Sequence, residues 1–438
     1  MNFNRMWKPL LLSAMAVCLG QTGYAQNFAY PLIPSVPSGY FRPFVWVAGS
    51  YNPSSVVHGP GQTSCSSSTN VCYYWPLDIA TAYALASVAN GNGGAGMTVG
   101  IVDAYSNTQT ESDLANFVSN VNSYYPSNTL PSCTVASGCL TFLNQTGGST
   151  LPGCSASADE CEGWWGEQDL DVQWVHAIAP NANIVVVCAN SASDSDLEKA
   201  EQIAVANANV VTNSWGSAEF SGEGSTFDSI ISGASVPVLF SSGDQKTGED
   251  VDYPCTSPYS VCVGGTHLLE TSASYRSSET PWGEGSGNGG AGGACSTQES
   301  QPAYQSGFAT VCGTYRGAPD VALLADVYTG VVVYLGTNAS GGTAGLYIIG
   351  GTSLASPMMA GVVATIDAAR SAAGKSLLGN NLNALLYQAA TGAAYHYRIF
   401  DIISGSNNFY SAGSGWDRAS GLGDPLAPAL SSYLVSLP

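Results

Sequence analysis

Between Met97 and Ser241 the chain alternates compact apolar runs with helical stretches, and this alternation leaves few architectures open. The runs are Met97–Val102, Ala182–Ala189, Asn209–Thr212 and Val236–Ser241. Each is compact and mostly apolar, the pattern of strands buried in a parallel sheet. Between them stand helical candidates at Glu111–Tyr124, Trp164–Ala179, Ser193–Asn207 and Ser225–Ser232. Strand-helix alternation of this kind predicts an α/β fold: a doubly wound, mainly parallel sheet flanked by helices. Further β-type sequence lies near Val321–Val333 and Leu346–Ile349, and no repeat of solenoid period occurs. The glycine-rich stretch Gly285–Gly293 lacks the Lys-Ser/Thr pair of a phosphate cradle and reads as a flexible surface loop.

The amino terminus sets the compartment. Arg5 and Lys8 precede the apolar run Pro9–Leu19, and Gly23-Tyr24-Ala25 offers small residues for cleavage, so residues 1–25 read as a secretory signal peptide. No later stretch approaches the ~20 uninterrupted apolar residues of a membrane helix. Residues 26–75, rich in Pro, Ser, Gly and Tyr, read as an N-terminal extension or short prosegment, and residues 76–438 as the main domain. Cysteine usage agrees with export. Apart from Cys18 in the signal, ten cysteines form short-range neighbours, Cys65/Cys72, Cys133/Cys139, Cys154/Cys161, Cys255/Cys262 and Cys295/Cys312. Five local disulfides are expected, with Cys188 left as a free cysteine in a buried strand.

Charge narrows the partners. The 438 residues hold 11 Lys and Arg against 31 Asp and Glu, a formal charge of −20. Phosphate backbones need clustered cations, so a nucleic-acid partner is excluded. Charged residues are only 10% of the chain, well under the roughly 25% of ordinary soluble proteins. A surface with few ion pairs loses little when carboxylates protonate, which points to tolerance of acid.

The strongest local signal is Gly350-Gly351-Thr352-Ser353-Leu354-Ala355-Ser356-Pro357, an apolar strand ending in glycines ahead of a small-residue helix. A serine there stands at a helix N-terminus, where backbone N–H groups favour developing negative charge. It is a poor nucleophile without a base. No His-Gly-Thr occurs, and among the four histidines only His176 lies on a plausible helix. The same helix carries Glu167 and Asp171, four residues apart and therefore on one face, where they can share a proton. His176 is nine positions beyond Glu167, about half a turn out of phase. Asp169 points about 200° away from Glu167. Trp164 and Trp165 read as packing residues.

The combination resembles the sedolisins, serine-carboxyl peptidases of the subtilisin clan in which glutamate replaces the histidine base. Gly351-Thr352-Ser353, with Pro357, is similar to the clan's nucleophile motif. Asn213-Ser214-Trp215-Gly216 looks like the strand that lines the substrate subsites, and Ser241-Ser242-Gly243-Asp244 like the element whose aspartate takes the oxyanion position. Ala318-Pro319-Asp320-Val321 matches a segment found before the nucleophile strand. Asp401-Ile402, Gly413-Ser414-Gly415-Trp416-Asp417 and Gly421–Pro425 resemble the C-terminal calcium loop. The likeness runs in order over roughly residues 77–430.

The resemblance implies a subtilisin-like fold and a secreted, acid-active peptidase, extracellular or periplasmic, with protein or peptide substrates. It implies Ser353 as nucleophile, Glu167 as base, Asp171 as its partner and Asp244 as oxyanion donor. Ser214, Trp215 and Gly216 would line the substrate. One structural Ca²⁺ would be held by Asp401 and Asp417 side chains with the carbonyls of Ile402, Gly413 and Gly415; carboxylates and carbonyls suit a hard cation. A monomer is expected. Sedolisins are usually made with a large prodomain, whereas only about 50–70 residues here separate signal from catalytic body, short of an ordinary domain. Two other readings stay open: a histidine-based subtilase using Ser353, His176 and Asp103, and an inactive secreted binding protein on the same scaffold.

Overall fold

The structure is a computed structural model that describes residues 30–31, 39–44, 46–50, 72–85, 92–244, 250–271, 274–283, 289–425 and 427–438. The signal peptide and Cys65 lie outside the described residues. The central sheet contains β1 (Thr98–Ala104), β2 (Leu140–Asn144), β3 (Asn183–Ala189), β4 (Val210–Asn213), β5 (Val238–Ser241), β6 (Val261–Thr271), β7 (Ser274–Pro281) and β8 (Val321–Leu324). Its order is β7-β6-β5-β4-β1-β3-β2, with β8 also on β6. Every pairing is parallel except β6 with β7. The chain runs from β1 to the β2 edge, returns through β3 and continues beyond β1 into β4 and β5. Such a reversal opens a crevice beyond the carboxyl ends of the strands.

Both faces are covered. Along β1, Val99 and Ile101 enter one apolar cluster, while Val102 and Ala104 enter the other, the period of two that a strand imposes. Helices α1 (Thr110–Tyr124), α2 (Ala158–Ile178) and α4 (Thr352–Ala372) pack on the first face, and α3 (Asp194–Asn207) on the second. Helices α2 and α4 touch closely: a Cβ on Gly361 would stand 2.7 Å from Ile178 Cβ. This contact brings the carboxylates of α2 beside the N-terminus of α4.

A second sheet joins distant parts of the chain. Its order runs Tyr30–Pro31, Trp46–Ser50, Gly345–Gly350, Thr329–Leu335, Cys72–Tyr74. Four of the expected disulfides form, Cys133–Cys139, Cys154–Cys161, Cys255–Cys262 and Cys295–Cys312, and Cys188 is free and buried. The described part of the glycine-rich stretch corrects the surface-loop expectation. Gly289–Gly293 is buried. Without side chains, Gly292 and Gly293 lie directly against the carbonyls of Ser242 and Arg418, where a Cβ would collide. Among the described residues no helix is long and apolar enough to cross a membrane.

Candidate active site

The site is assembled at the carboxyl ends of β1, β4 and β5, closed by the N-terminus of α4 and one face of α2. Ser353 is the second residue of α4. Its Oγ donates to Glu167 Oε2 at 2.8 Å and also lies 3.2 Å from the Ser214 carbonyl oxygen. Pro357, without an N–H, cannot satisfy the Ser353 carbonyl four residues back. Ser214 Oγ stands in for it at 3.2 Å and lies 2.7 Å from Asp171 Oδ1. A chain of polar contacts therefore runs Glu167–Ser353–Ser214–Asp171, all fully buried.

Glu167 Oε1 and Asp171 Oδ2 are buried without a hydrogen-bond partner. Burial, then the charges of Asp171 and Asp103, pushes the Glu167 carboxyl well above the ordinary range, against the Ser353 hydrogen bond. Burial and Asp103 push Asp171 the same way. Asp103, with neither oxygen hydrogen-bonded, is raised by burial to about 8. Three mutually repelling buried carboxyls do not ionise together: once one has lost its proton, its charge holds protons on the others.

Asp244 is organised differently. Its Oδ1 accepts from Thr352 N–H and Oγ1 at 2.8 and 2.7 Å, while Oδ2 is buried and unbonded. Burial raises its pKa to about 7 against those bonds and the charge of Arg42. Two donors hold Oδ1, so a proton on this carboxyl sits on Oδ2. Gly351, at φ +111°, lies between: a Cβ there would be 2.6 Å from Asp244 Oδ2, and few residues but glycine adopt that backbone.

A match to the Subtilase family spans residues 165–423. Kumamolisin from Bacillus sp. (strain MN-32) is 31% identical over 392 residues, 83% of this chain and 64% of the relative. Sedolisin from Pseudomonas sp. (strain 101) is 36% identical over 199 residues, 42% of this chain and 30% of the relative. The chain thus spans less than two thirds of these relatives' own length. The solved Pseudomonas sedolisin, a serine-carboxyl proteinase complexed with two molecules of pseudo-iodotyrostatin, matches with TM-score 0.67 and 30% identity over 84% of this chain and 99% of that one. The chain belongs to the sedolisin family.

Several residues fall where a sedolisin site would not need them. His176 is buried at the far end of α2, its Nε2 2.9 Å from the Pro131 carbonyl oxygen. Burial lowers its pKa despite that contact. The set Ser353, His176 and Asp103 is therefore not assembled, because the helix phase separates His176 from Glu167. Asp169 is fully buried, bonded to Thr110 Oγ1 at 2.7 Å and to Asn107 Nδ2. Trp164 is packed in the core, and Trp165 Nε1 donates to the Ser106 carbonyl.

Sequence reasoning gave Asp103 only to the histidine-based alternative and passed over Thr352. Asp103, at the end of β1, joins the Glu167/Asp171 cluster electrostatically. Its position at a strand's carboxyl end is the signal that marks it. Thr352 fixes Asp244, and only its adjacency to Ser353 hints at this.

The C-terminal loop brings Asp401 and Asp417 to one place. Gly415 N–H donates to both Asp401 oxygens at 3.1 and 3.0 Å, and Gly413 N–H to Asp417 Oδ2 at 2.8 Å. Burial raises Asp417 against its backbone donors. Both carboxylates also raise the nearby Tyr395 phenol, after burial itself. Among the described residues no lysine or arginine pairs with either; His396 Nδ1 lies 3.8 Å from Asp401 Oδ2. Two neighbouring carboxylates with no lysine or arginine partner among the described residues offer oxygens of the kind a hard cation takes.

Proposed function

We propose that this chain is a secreted, acid-active serine-carboxyl peptidase that cuts peptide bonds through an acyl-enzyme on Ser353. The observation that carries the reading is the 2.8 Å hydrogen bond from Ser353 Oγ to Glu167 Oε2. Ser353 attacks the carbonyl carbon as its proton passes to Glu167, and the Glu167/Asp171 pair shares that proton before giving it to the leaving amine. Water then hydrolyses the ester with the same pair as base. Asp244, protonated on Oδ2, donates to the developing oxyanion.

The pH range follows from the signs. The base needs the first ionisation of the Glu167/Asp171 pair; the second is opposed by the charge already present. The oxyanion donor needs Asp244 neutral, and its pKa is about 7. Activity therefore belongs to acid and falls as pH rises through about 7. Ser214, Trp215 and Gly216 would line the substrate. A calcium ion at Asp401 and Asp417, with the carbonyls of Ile402, Gly413 and Gly415, would cross-link the C-terminal loop and take no part in the chemistry. Export through residues 1–25 accords with the four disulfides.

A peptide assay at about pH 3–5 on wild type, Ser353→Ala, Glu167→Gln and His176→Ala tests the reading. Loss with Ser353→Ala and Glu167→Gln, and retention with His176→Ala, is expected. Loss with His176→Ala alone would establish a histidine base, and an inert wild type would leave a binding protein.

A further inference from the structure

His176 takes no part in the proposed reaction, yet it is fully buried with one ring nitrogen unpartnered. Its Nε2 lies 2.9 Å from the Pro131 carbonyl oxygen, which can only accept, so Nε2 carries the hydrogen. Burial lowers the pKa of the ring and keeps it neutral. Nδ1 is therefore a bare lone pair, buried and without a hydrogen bond. A buried acceptor left in this state costs free energy, and two sulfurs stand beside the ring. Cys133 Sγ, Cys139 Sγ and a ring nitrogen of His176 all lie within 4.8 Å of one another. Among the described residues no other three His, Cys, Asp or Glu side chains bring ligand atoms so close together.

We infer that Cys133, Cys139 and His176 form a thiol-gated site for a thiophilic divalent cation such as Zn²⁺, closed while the disulfide stands and open once a thiol has reduced it. Two thiolates and an imidazole are ligands that zinc prefers. The bond from Nε2–H to Pro131 is the support that a metal-binding imidazole normally has, because it fixes the tautomer that leaves Nδ1 free to ligate. Three protein ligands leave the fourth position of a tetrahedron to water. The site is remote from the reacting atoms, so its existence does not depend on the peptidase reading.

The loop that carries the sulfurs is held by more than the S–S bond. Thr134 N–H donates to Ser137 Oγ at 3.2 Å and Ser137 N–H to Thr134 Oγ1 at 3.1 Å. Leu140 N–H closes the turn onto the Thr134 carbonyl at 3.2 Å, and Ile184 N–H of β3 donates to the Cys139 carbonyl at 2.7 Å. His176 is fixed near the end of α2. Reduction therefore frees two thiols that stay beside the imidazole. Cys139 is half-buried, so a small thiol reaches the bond from that side. Two glutathione thiols become glutathione disulfide as the Cys133–Cys139 bond takes up two electrons and two protons. Zn²⁺ then displaces both thiol protons.

The test places the full chain in a glutathione redox buffer near neutral pH, titrates Zn²⁺, and counts free thiols at each cysteine pair by alkylation and mass spectrometry. Because zinc binds only the dithiol, the ratio of dithiol to disulfide at Cys133–Cys139 should rise with free zinc above its Kd, about tenfold for each tenfold of zinc. Cys154–Cys161 is the control: Cys154 is also half-buried, its loop is of similar length, and no imidazole joins it among the described residues. Its ratio should not move. A Cys133–Cys139 ratio unmoved by zinc, or an equal rise at Cys154–Cys161, overturns the inference. This reading is taken on wild type and does not depend on any variant folding. His176→Ala, which keeps both cysteines, should weaken zinc at the pair by at least about 10-fold, the lower end of what loss of a mere supporting partner does. An undiminished shift in a folded His176→Ala chain removes the imidazole and overturns the site as inferred.

Discussion

Arg316 and Asp320 are buried together, as are Glu167, Asp171 and Asp103, but only the first group contains a cation. Arg316 Nη2 lies 2.6 Å from Asp320 Oδ2, and both side chains are fully buried. Tyr387 Oη and Cys262 N–H complete the carboxylate at 2.8 Å each. There a carboxylate meets a guanidinium directly. In the proposed catalytic cluster the buried acids face one another, and each charge that forms opposes the next. The difference teaches that one fold can hold buried charge either by pairing, which resists pH, or by protonation, which depends on it.

The largest effect breaks the chemistry without touching either arrangement. Ser353→Ala is expected to cost roughly 10⁴-fold or more in kcat, with the dependence of melting temperature on pH little changed. A large stability change would mean that the serine holds the cluster together. Next comes the oxyanion carboxyl. Asp244→Ala should lose about 10²–10³-fold, whereas Asp244→Asn, a donor at every pH, should extend activity past the limb near 7. A pH profile of kcat/KM separates the two, and an unmoved limb would remove Asp244 from the descending ionisation.

Stability sharpens the contrast further. Arg316→Met leaves Asp320 buried without its cation and should cost about 3–5 kcal/mol at neutral pH. Denaturant midpoints of wild type and variant measure it. The Glu167, Asp171 and Asp103 cluster makes stability in the wild type depend on pH. An acid whose folded pKa is raised binds more protons in the native state, so its stabilising share is complete below the unfolded pKa and is lost as pH rises through the folded one. For Asp103 that window runs from about 4 to about 8. Asp103→Asn should flatten the decline in stability across it, by up to several kcal/mol at pH 8. Glu201, fully buried on α3 and raised by burial to about 8, adds to the same decline. The smallest expected effect lies outside both groups: chelation should lower the melting temperature by a few degrees through the C-terminal loop. An unchanged transition would argue against a bound ion.

The sequence by itself determined what repeats locally. Compact, mostly apolar runs fit strands covered on both faces, so β1, β3, β4 and β5 were legible, and four-residue spacing placed Glu167 and Asp171 on one helix face. Short cysteine separations disclosed four of the disulfides for the same reason, since few partners lie within reach of a short loop. Tertiary structure alone decided what distant segments do to one another. Nothing near Asp103 in the chain announces that it shares a low-dielectric pocket with Glu167, and nothing near Gly289–Gly293 says that backbone from Ser242 and Arg418 closes over it. The proton inventory of the site is of this kind too, because a carboxyl's pKa is set by the solvent it loses and the charges it meets. Nothing in the sequence of residues 41–44 marks them; only strand pairing of Arg42 with Gly216 and Pro43 with Trp215 brings them beside Ser214.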